Sequence, residues 1–517
     1  MECIIKKLEV IINYTFCIFI GCVLACTLLI FVVDYNIPIV RGFEQHSLFV
    51  LNCLLLIMGF VIIKFAPSFV NKITKITLGE KRSYSYVFVL LTIYFIVSAI
   101  WIIKSNLTIM WDYRDLYNLA TIYFEKGYFA AMNEPGITTP GLVVLGVNYL
   151  DQFPNNLGML FALISIGTLF GHSVLRYEIF NLLVMCFSFF IIYKLVLKFT
   201  SNRMSALLSM IISMMFLPFF FYTPIFYNDV LSMPFILGGM YLLFDDKDKI
   251  TSSKIKLFLS FVLLSIGYIL RAPVIICVIA VIIIFILRKR FLSIISFIIT
   301  MFLIVTSFNF LIDQSGIYEE RRAVGVPIFH WIAMAQNDVT LGQNYVEDYN
   351  DTFSKLASGV SKEQITAEKK ELFLQRIKEK GVIGNLLFNI KKISYLWGDP
   401  LYEGWFTYNY EQNDKIIFKK LFNESILAVG VYSYAKIYQN ILYISLLIFA
   451  VKSLKTTTIT TTFDILIMLT FTGFFLFYLI WEVHPRYLLC ILPLFLSHIL
   501  IKITEYGATT ESLIEKI

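Results

Sequence analysis

The stretch NNLGMLFALISIGTLFGH, residues 155–172, decides how the chain is threaded. It is apolar from Leu157 to Phe170, but it lies at the short edge of what can cross roughly 30 Å of hydrocarbon. If it crosses, every later loop changes side. Lys and Arg settle the choice, because short cytoplasmic loops are enriched in them. With 155–172 lying along or dipping into the surface, one side collects Lys6, Lys7, Lys72, Lys75, Lys81, Arg82, Lys198, Arg203, Lys247, Lys249, Lys254, Lys256, Arg288, Lys289, Arg290, Lys452 and Lys455. The short loops of the other side then hold only Arg41, Arg271 and Arg486. A crossing would send the later clusters outside. The segment is therefore read as non-spanning, both termini as cytoplasmic, and the long polar segments 104–157 and 313–436 as facing outward.

Composition agrees with a chain built for lipid. Of 517 residues, 58% are hydrophobic, 16% aromatic and only 15% charged, with mean hydropathy +0.76. Soluble domains are nearer 45–50% apolar and about 25% charged. That excludes a soluble enzyme, a disordered scaffold and a nucleic-acid-binding domain together. The pattern predicts an all-α, polytopic membrane protein of about twelve spans (eleven to thirteen). They fall at 10–33, 47–64, 84–103, 173–197, 204–222, 230–244, 255–270, 273–287, 291–312, 437–452, 463–481 and 486–503. The net charge of +7 has meaning only when sorted by loop. Seven of the eight cysteines lie inside apolar runs, so they read as small core residues rather than a disulfide or zinc framework. Val23-Leu24-Ala25-Cys26 faintly resembles a lipoprotein cleavage box, but the long run around it reads as a first span.

Four regions follow: 1–83 with two N-terminal spans, 84–312 as the transmembrane core with the first outer loop, 313–436 as a large outer region, and 437–517 with the last spans and a cytoplasmic tail. Within the large loop, Ser361-Lys362-Glu363-Gln364 has a capping-box pattern for a helix ending near Gly381. Val382, Leu386, Ile390, Ile393 and Trp397 recur at helical steps beside Lys391 and Lys392, which suits a helix lying flat in the headgroup layer. An aromatic stretch from Trp405 through Tyr410 follows.

Ionisable groups at a membrane face are costly unless paired or functional. Trp111-Asp112-Tyr113-Arg114-Asp115 opens the first outer loop with two acids three apart, on one side of a helix; a helix start with Asp as N-cap is the plainer account. Asp229 stands in a very short outer turn, where an N-cap would also explain it. Arg271 separates two apolar runs on the same face, with snorkelling as its ordinary explanation. Glu482, His484, Arg486 and Tyr487 crowd the last outer turn, a composition shared with interface anchors. Acids from two loops and cations from two others fit glycosyl transfer at the surface better than conduction, which needs charges deep along a path.

At these residues the chain resembles the GT-C glycosyltransferases, in particular bacterial relatives of protein O-mannosyltransferases and aminoarabinose transferases. Asp115-Leu116-Tyr117-Asn118-Leu119-Ala120 keeps the family's Asp-to-Ala spacing, with Leu116 where a Glu normally stands, so the choice between Asp115 and Asp112 stays open. Phe153-Pro154-Asn155-Asn156-Leu157-Gly158 is similar to a Tyr-Pro-x-Asn-x-Gly pattern, and Pro327 to Met334 to a Pro-x-x-His-Trp-x-x-Met segment. Asp229, Arg271 and the Glu482–Tyr487 turn follow in the family's order, over roughly residues 84–503. The first 65 residues look like an addition.

The resemblance implies an inverting transfer of a sugar from a polyprenyl-phosphate donor to a hydroxyl on a glycan, lipid or protein, outside a plasma membrane. Asp115 or Asp112 would act as base, with Asp229 assisting. Arg271, Arg486 and His484 would meet the donor phosphate, and Tyr117, Asn155, Asn156, His330, Trp331 and Glu482 the sugar or acceptor. A packed loop explains the two histidines equally well. No nucleotide cradle is seen. Some members of the family use a divalent cation, Mg or Mn, and others none; no His, Asp and Glu set at ligand spacing demands one. A lipid-linked saccharide flippase, a surface polysaccharide polymerase and a silent scaffold are the rival readings. A flippase would show broken or charged spans around a midplane site, often repeated.

Overall fold

The computed structural model describes residues 2–30, 45–129, 143–144, 147–318, 325–409, 415–422, 425–455 and 460–514. Residues 31–33 of the first expected span, Arg41 and Tyr410 lie outside the described residues. Among the described residues the regular structure is helical, apart from a two-residue antiparallel pairing of Val143–Val144 with Val147–Asn148 and a single bridge between Phe244 and Ile250.

Among the described residues, seven helices are long and apolar enough to cross a membrane: Ile5–Leu28, His46–Thr74, Glu80–Ser105, Val174–Thr200, Phe291–Ser315, Ile426–Lys455 and Thr462–Ile480. The other expected spans are shorter or broken, most of them at a proline. The 204–222 run divides into Arg203–Met214 and Leu217–Phe221 around Pro218, and 230–244 into Asn228–Leu231 and Met233–Leu243 around Pro234. Pro273 and Pro485 likewise open short 3-10 turns ahead of Ile275–Leu287 and Leu492–Ile514. Proline suits the first turn of a helix and stops the one before it, so an unbroken apolar run in sequence becomes two elements.

The 155–172 stretch folds as a 3-10 turn, Pro154–Asn156, and a helix, Leu157–Phe170, of 14 residues, about 21 Å long. Both its ends are held by the same helix, Trp111–Lys126. Asn156 reaches Asp112 through Tyr149, while His172 stacks on Tyr117 and bonds Thr121 at 2.8 Å. Gly158 lets this helix approach the end of Lys254–Leu270, since a Cβ there would lie 2.2 Å from the Ile269 carbonyl.

The N-terminal helices are no appendage. Phe16, Ile20 and Val23 are fully buried, and Phe16 and Phe19 pack on Phe471 and Phe475 of Thr462–Ile480. At one end, Arg288 bonds Glu9 and Thr462, Asn202 bonds the Thr74 carbonyl and Lys502 pairs with Asp464. The two long loops gather at the other.

In the large loop, Ser361 caps its helix by accepting from Gln364 N, but the reciprocal half of the box is missing because Gln364 turns to Glu368. Helix Lys362–Gly398 breaks at Gly381, whose φ of 61° and ψ of −174° are non-helical. The expected flat helix beyond it needs correction. Its first turns do expose Val382, Ile383, Leu386 and Leu387, but its last turns are core. Lys392, expected on a wet flank, is buried and donates to the carbonyls of Ala335, Leu479 and Trp481 at 2.9, 3.2 and 2.9 Å. It ties the loop to the end of Thr462–Ile480, where helix carbonyls lack partners of their own. Lys436 does the same for Gly398 at 2.8 Å.

Candidate functional site

Four ionisable side chains from four separate segments meet in one cleft at the loop-bearing end. Asp112, Asp229, Glu403 and Arg486 line it together with Tyr113, Tyr222 and Tyr227, and Leu107, Ile109, Met110, Pro224 and Ile225 form an apolar wall.

Asp112 sits in the first turn of Trp111–Lys126, where a helix N-terminus favours an anion, although the N-cap position itself belongs to Met110. Each carboxylate oxygen accepts from a phenol: Tyr149 at 2.8 Å and Tyr227 at 2.9 Å. Asn156 fixes Tyr149 from behind, donating to its hydroxyl at 2.7 Å. Asp115, three residues on, has a different fate. It is buried beside Arg114 at 3.1 Å and does not line the cleft. Burial lifts its carboxyl to about 6 despite the Arg114 guanidinium.

Asp229 is in the first turn of Asn228–Leu231, so it does not serve as the N-cap there. It pairs with Arg271 at 2.8 Å, side chains 1% and 8% exposed, in a geometry that leaves both carboxylate oxygens without a directional hydrogen bond among the described residues. Burial raises its pKa, and the Arg271 and Arg486 guanidiniums pull it back. Arg271 also donates to Asn228 at 3.1 Å and lies on the Tyr487 ring. It stands behind Asp229 and does not line the cleft.

Glu403 is the member the sequence did not reveal. Asp399 accepts from the backbone of Leu401 and Glu403 and from the Trp405 indole, which folds a turn holding Tyr402 and Glu403 at φ 51° and 61°. The turn aims Glu403 at His484 Nδ1, 2.9 Å away, with the Tyr395 hydroxyl donating to it as well. His484 Nε2 lies 3.4 Å from Glu482. Burial opposes charge on His484, but Glu403 and Glu482 outweigh it and lift the imidazole to about 9. Burial likewise opposes charge on Glu403, and His484 and Arg486 hold it below the ordinary range. Arg486 lies 4.0 Å from Glu403 and over the Tyr227 and Tyr487 rings.

The remaining candidates lie elsewhere. His330 is buried against Trp331, Tyr349 and Phe353, bonded to Thr352 at 2.9 Å, and burial beside Lys369 lowers it to about 3. It and Trp331 are packing residues of the large loop, off the cleft. Asn155 is exposed, and Tyr117 stacks on His172 at 4.5 Å. Among the described residues no group of three or more His, Cys, Asp or Glu is arranged to hold a metal ion. The cleft fits a divalent cation poorly: Asp229 faces Arg271, Glu403 faces His484 and Arg486, and both oxygens of Asp112 accept phenols.

The chain belongs to a family of conserved hypothetical integral membrane proteins, whose profile matches residues 4–506. No curated protein and no solved structure matches it.

Proposed function

We propose that this chain is an inverting membrane glycosyltransferase of GT-C-like architecture, with about twelve crossings counting the short helices. It moves a sugar from a polyprenyl-phosphate donor to an acceptor hydroxyl on the outer face of a bacterial plasma membrane, with both termini inside. The observation that supports this reading is the convergence of Asp112, Asp229, Glu403 and Arg486 in one cleft beside an apolar wall. Transfer from a lipid-phosphate sugar needs a cation for the phosphate, a carboxylate base to take the acceptor hydroxyl's proton, and an apolar flank for the lipid.

In this reading the acceptor oxygen attacks the anomeric carbon as the carbon–oxygen bond to phosphate breaks. Asp112 takes the hydroxyl proton. The transfer comes late, once bond formation has made the hydroxyl acidic. Tyr149 and Tyr227 hold the carboxylate in place. Arg486 meets the charge growing on the leaving phosphate, where a charge-assisted contact in a partly dry cleft has its greatest effect. Arg271 moves from the phosphate role expected of it to a positioning one, holding Asp229 at the cleft wall. His484 and Glu482 brace Glu403.

The test is release of polyprenyl phosphate from a panel of polyprenyl-monophosphate sugars by the purified full chain, with glycan analysis of cells with and without it. Turnover by wild type that survives undiminished in an Asp112→Asn variant of equal abundance would remove Asp112 as the base. Failure of every donor would remove the reading itself.

A further inference from the structure

A second cavity opens far from the acidic cleft, between helices Gln45–Thr74, Ile426–Lys455 and Leu492–Ile514, toward the opposite end of the bundle. Its walls are mostly apolar, with Phe60, Ile448, Phe449 and Ile499 among them, and Pro67 removes a backbone hydrogen bond from one flanking helix. Its charged lining is all of one sign: Lys64, Lys452 and Lys502 contribute to it and, among the described residues, no carboxylate does.

These lysines are not alike. Lys502 is neutralised by Asp464 at 2.8 Å and Glu505 at 3.0 Å. Lys452 lies 3.8 Å over the Tyr506 ring, and Lys64 is exposed with no acidic partner among the described residues. Two polar atoms of the lining also stand unsatisfied among the described residues. His498 is fully buried with Nε2 committed to Asp464 at 2.9 Å, yet its Nδ1 has no hydrogen-bond partner, and neither does Ser445 Oγ. Buried polar atoms are rarely left so, because each lost bond carries a desolvation cost. An apolar groove with a basic rim near a bilayer surface matches the two parts of an acidic lipid: chain and headgroup.

We infer that this cavity binds one anionic phospholipid of the adjacent leaflet, its phosphate between Lys64 and Lys452 and an acyl chain along Phe60, Ile448 and Phe449. The site is independent of the glycosyl-transfer reading, since it shares no residue with the acidic cleft.

Native mass spectrometry of the detergent-purified full chain, titrated with phosphatidylglycerol or phosphatidylcholine, tests it. Phosphatidylglycerol should be retained in preference, and the Lys64→Gln/Lys452→Gln double variant should bind it about tenfold more weakly. Ile448→Trp, which fills the groove without touching charge, should lose it too, while Lys289→Gln, a basic residue at the same end but outside the cavity, should not. Equal retention of the two lipids overturns the proposal, as does unchanged phosphatidylglycerol binding in both cavity variants. Displacement of phosphatidylglycerol by polyprenyl monophosphate, abolished by the same double variant, would overturn it in favour of a substrate-lipid site.

Discussion

The two ends of this bundle treat charge in opposite ways. At the end without the long loops, Arg203–Glu80 and Lys256–Asp245 pair with side chains 38% and 68%, and 47% and 40%, exposed. Such pairs are wet, screened and worth little. At the loop-bearing end, Asp229 and Arg271 are almost wholly buried, and Glu403, His484 and Arg486 lie close behind. Removing that many charges from water has a large desolvation cost, which surface solubility does not explain. The buried trio Asp464–His498–Lys502 is the exception at the quiet end, and there Asp464 is also half of a capping box with Thr461, a structural use. Where ions are buried without capping a helix, function is the better account.

Four experiments bear on this contrast. The largest effect is expected from Asp112→Asn, with glycosyl turnover down about 10²–10⁴-fold, while Asp115→Asn stays within about threefold. Equal losses in the two would erase the distinction drawn between them. Arg271→Gln should destabilise the fold by about 3–5 kcal/mol, because it strands Asp229 in a buried position. Thermal unfolding in detergent measures this, and an unchanged midpoint would show the pair to be wetter than described.

The Glu403–His484 pair predicts a pH window. The His484 pKa is raised to about 9, so its contribution to stability is complete below its ordinary 6.5 and is lost as pH rises through 9. Glu403 is lowered from 4.5, so its contribution is complete above that value and is lost as pH falls further. His484→Gln should flatten the alkaline limb of a stability–pH curve; retention of that limb would assign it elsewhere. Arg203→Gln, at the opposite end, should change stability by no more than about 1 kcal/mol. A loss as large as that of Arg271→Gln would mean that the ends do not differ.

Much of this plan was legible in the chain. The helical membrane character follows from the apolar runs, and the Lys and Arg balance gives an expectation for the side on which each loop lies, because it sums many residues. Asp112, Asp229 and Arg486 were picked as charges at a membrane face, and they share the cleft. Choosing between Asp112 and Asp115 was beyond the sequence. Their spacing puts both on one helix side, and only Tyr149 and Tyr227, brought from distant segments, favour the first. Glu403 went unseen because its position depends on a left-handed turn built around Asp399, which leaves no periodicity to read. His330 and Lys392 misled for the reverse reason: polar residues in a polar loop resemble ligands or wet flanks until packing shows them buried.

The ledge formed by Val382, Ile383, Leu386 and Leu387 has a practical consequence for anyone wishing to study the large loop alone. Its most apolar turns face outward, while its last turns depend on Lys392 and Lys436, which anchor them to the neighbouring helices. Excised from the bundle, the fragment would present grease on one flank and an untethered core on the other. It would aggregate in aqueous buffer, so biochemistry on this region belongs in micelles or nanodiscs with the whole polypeptide.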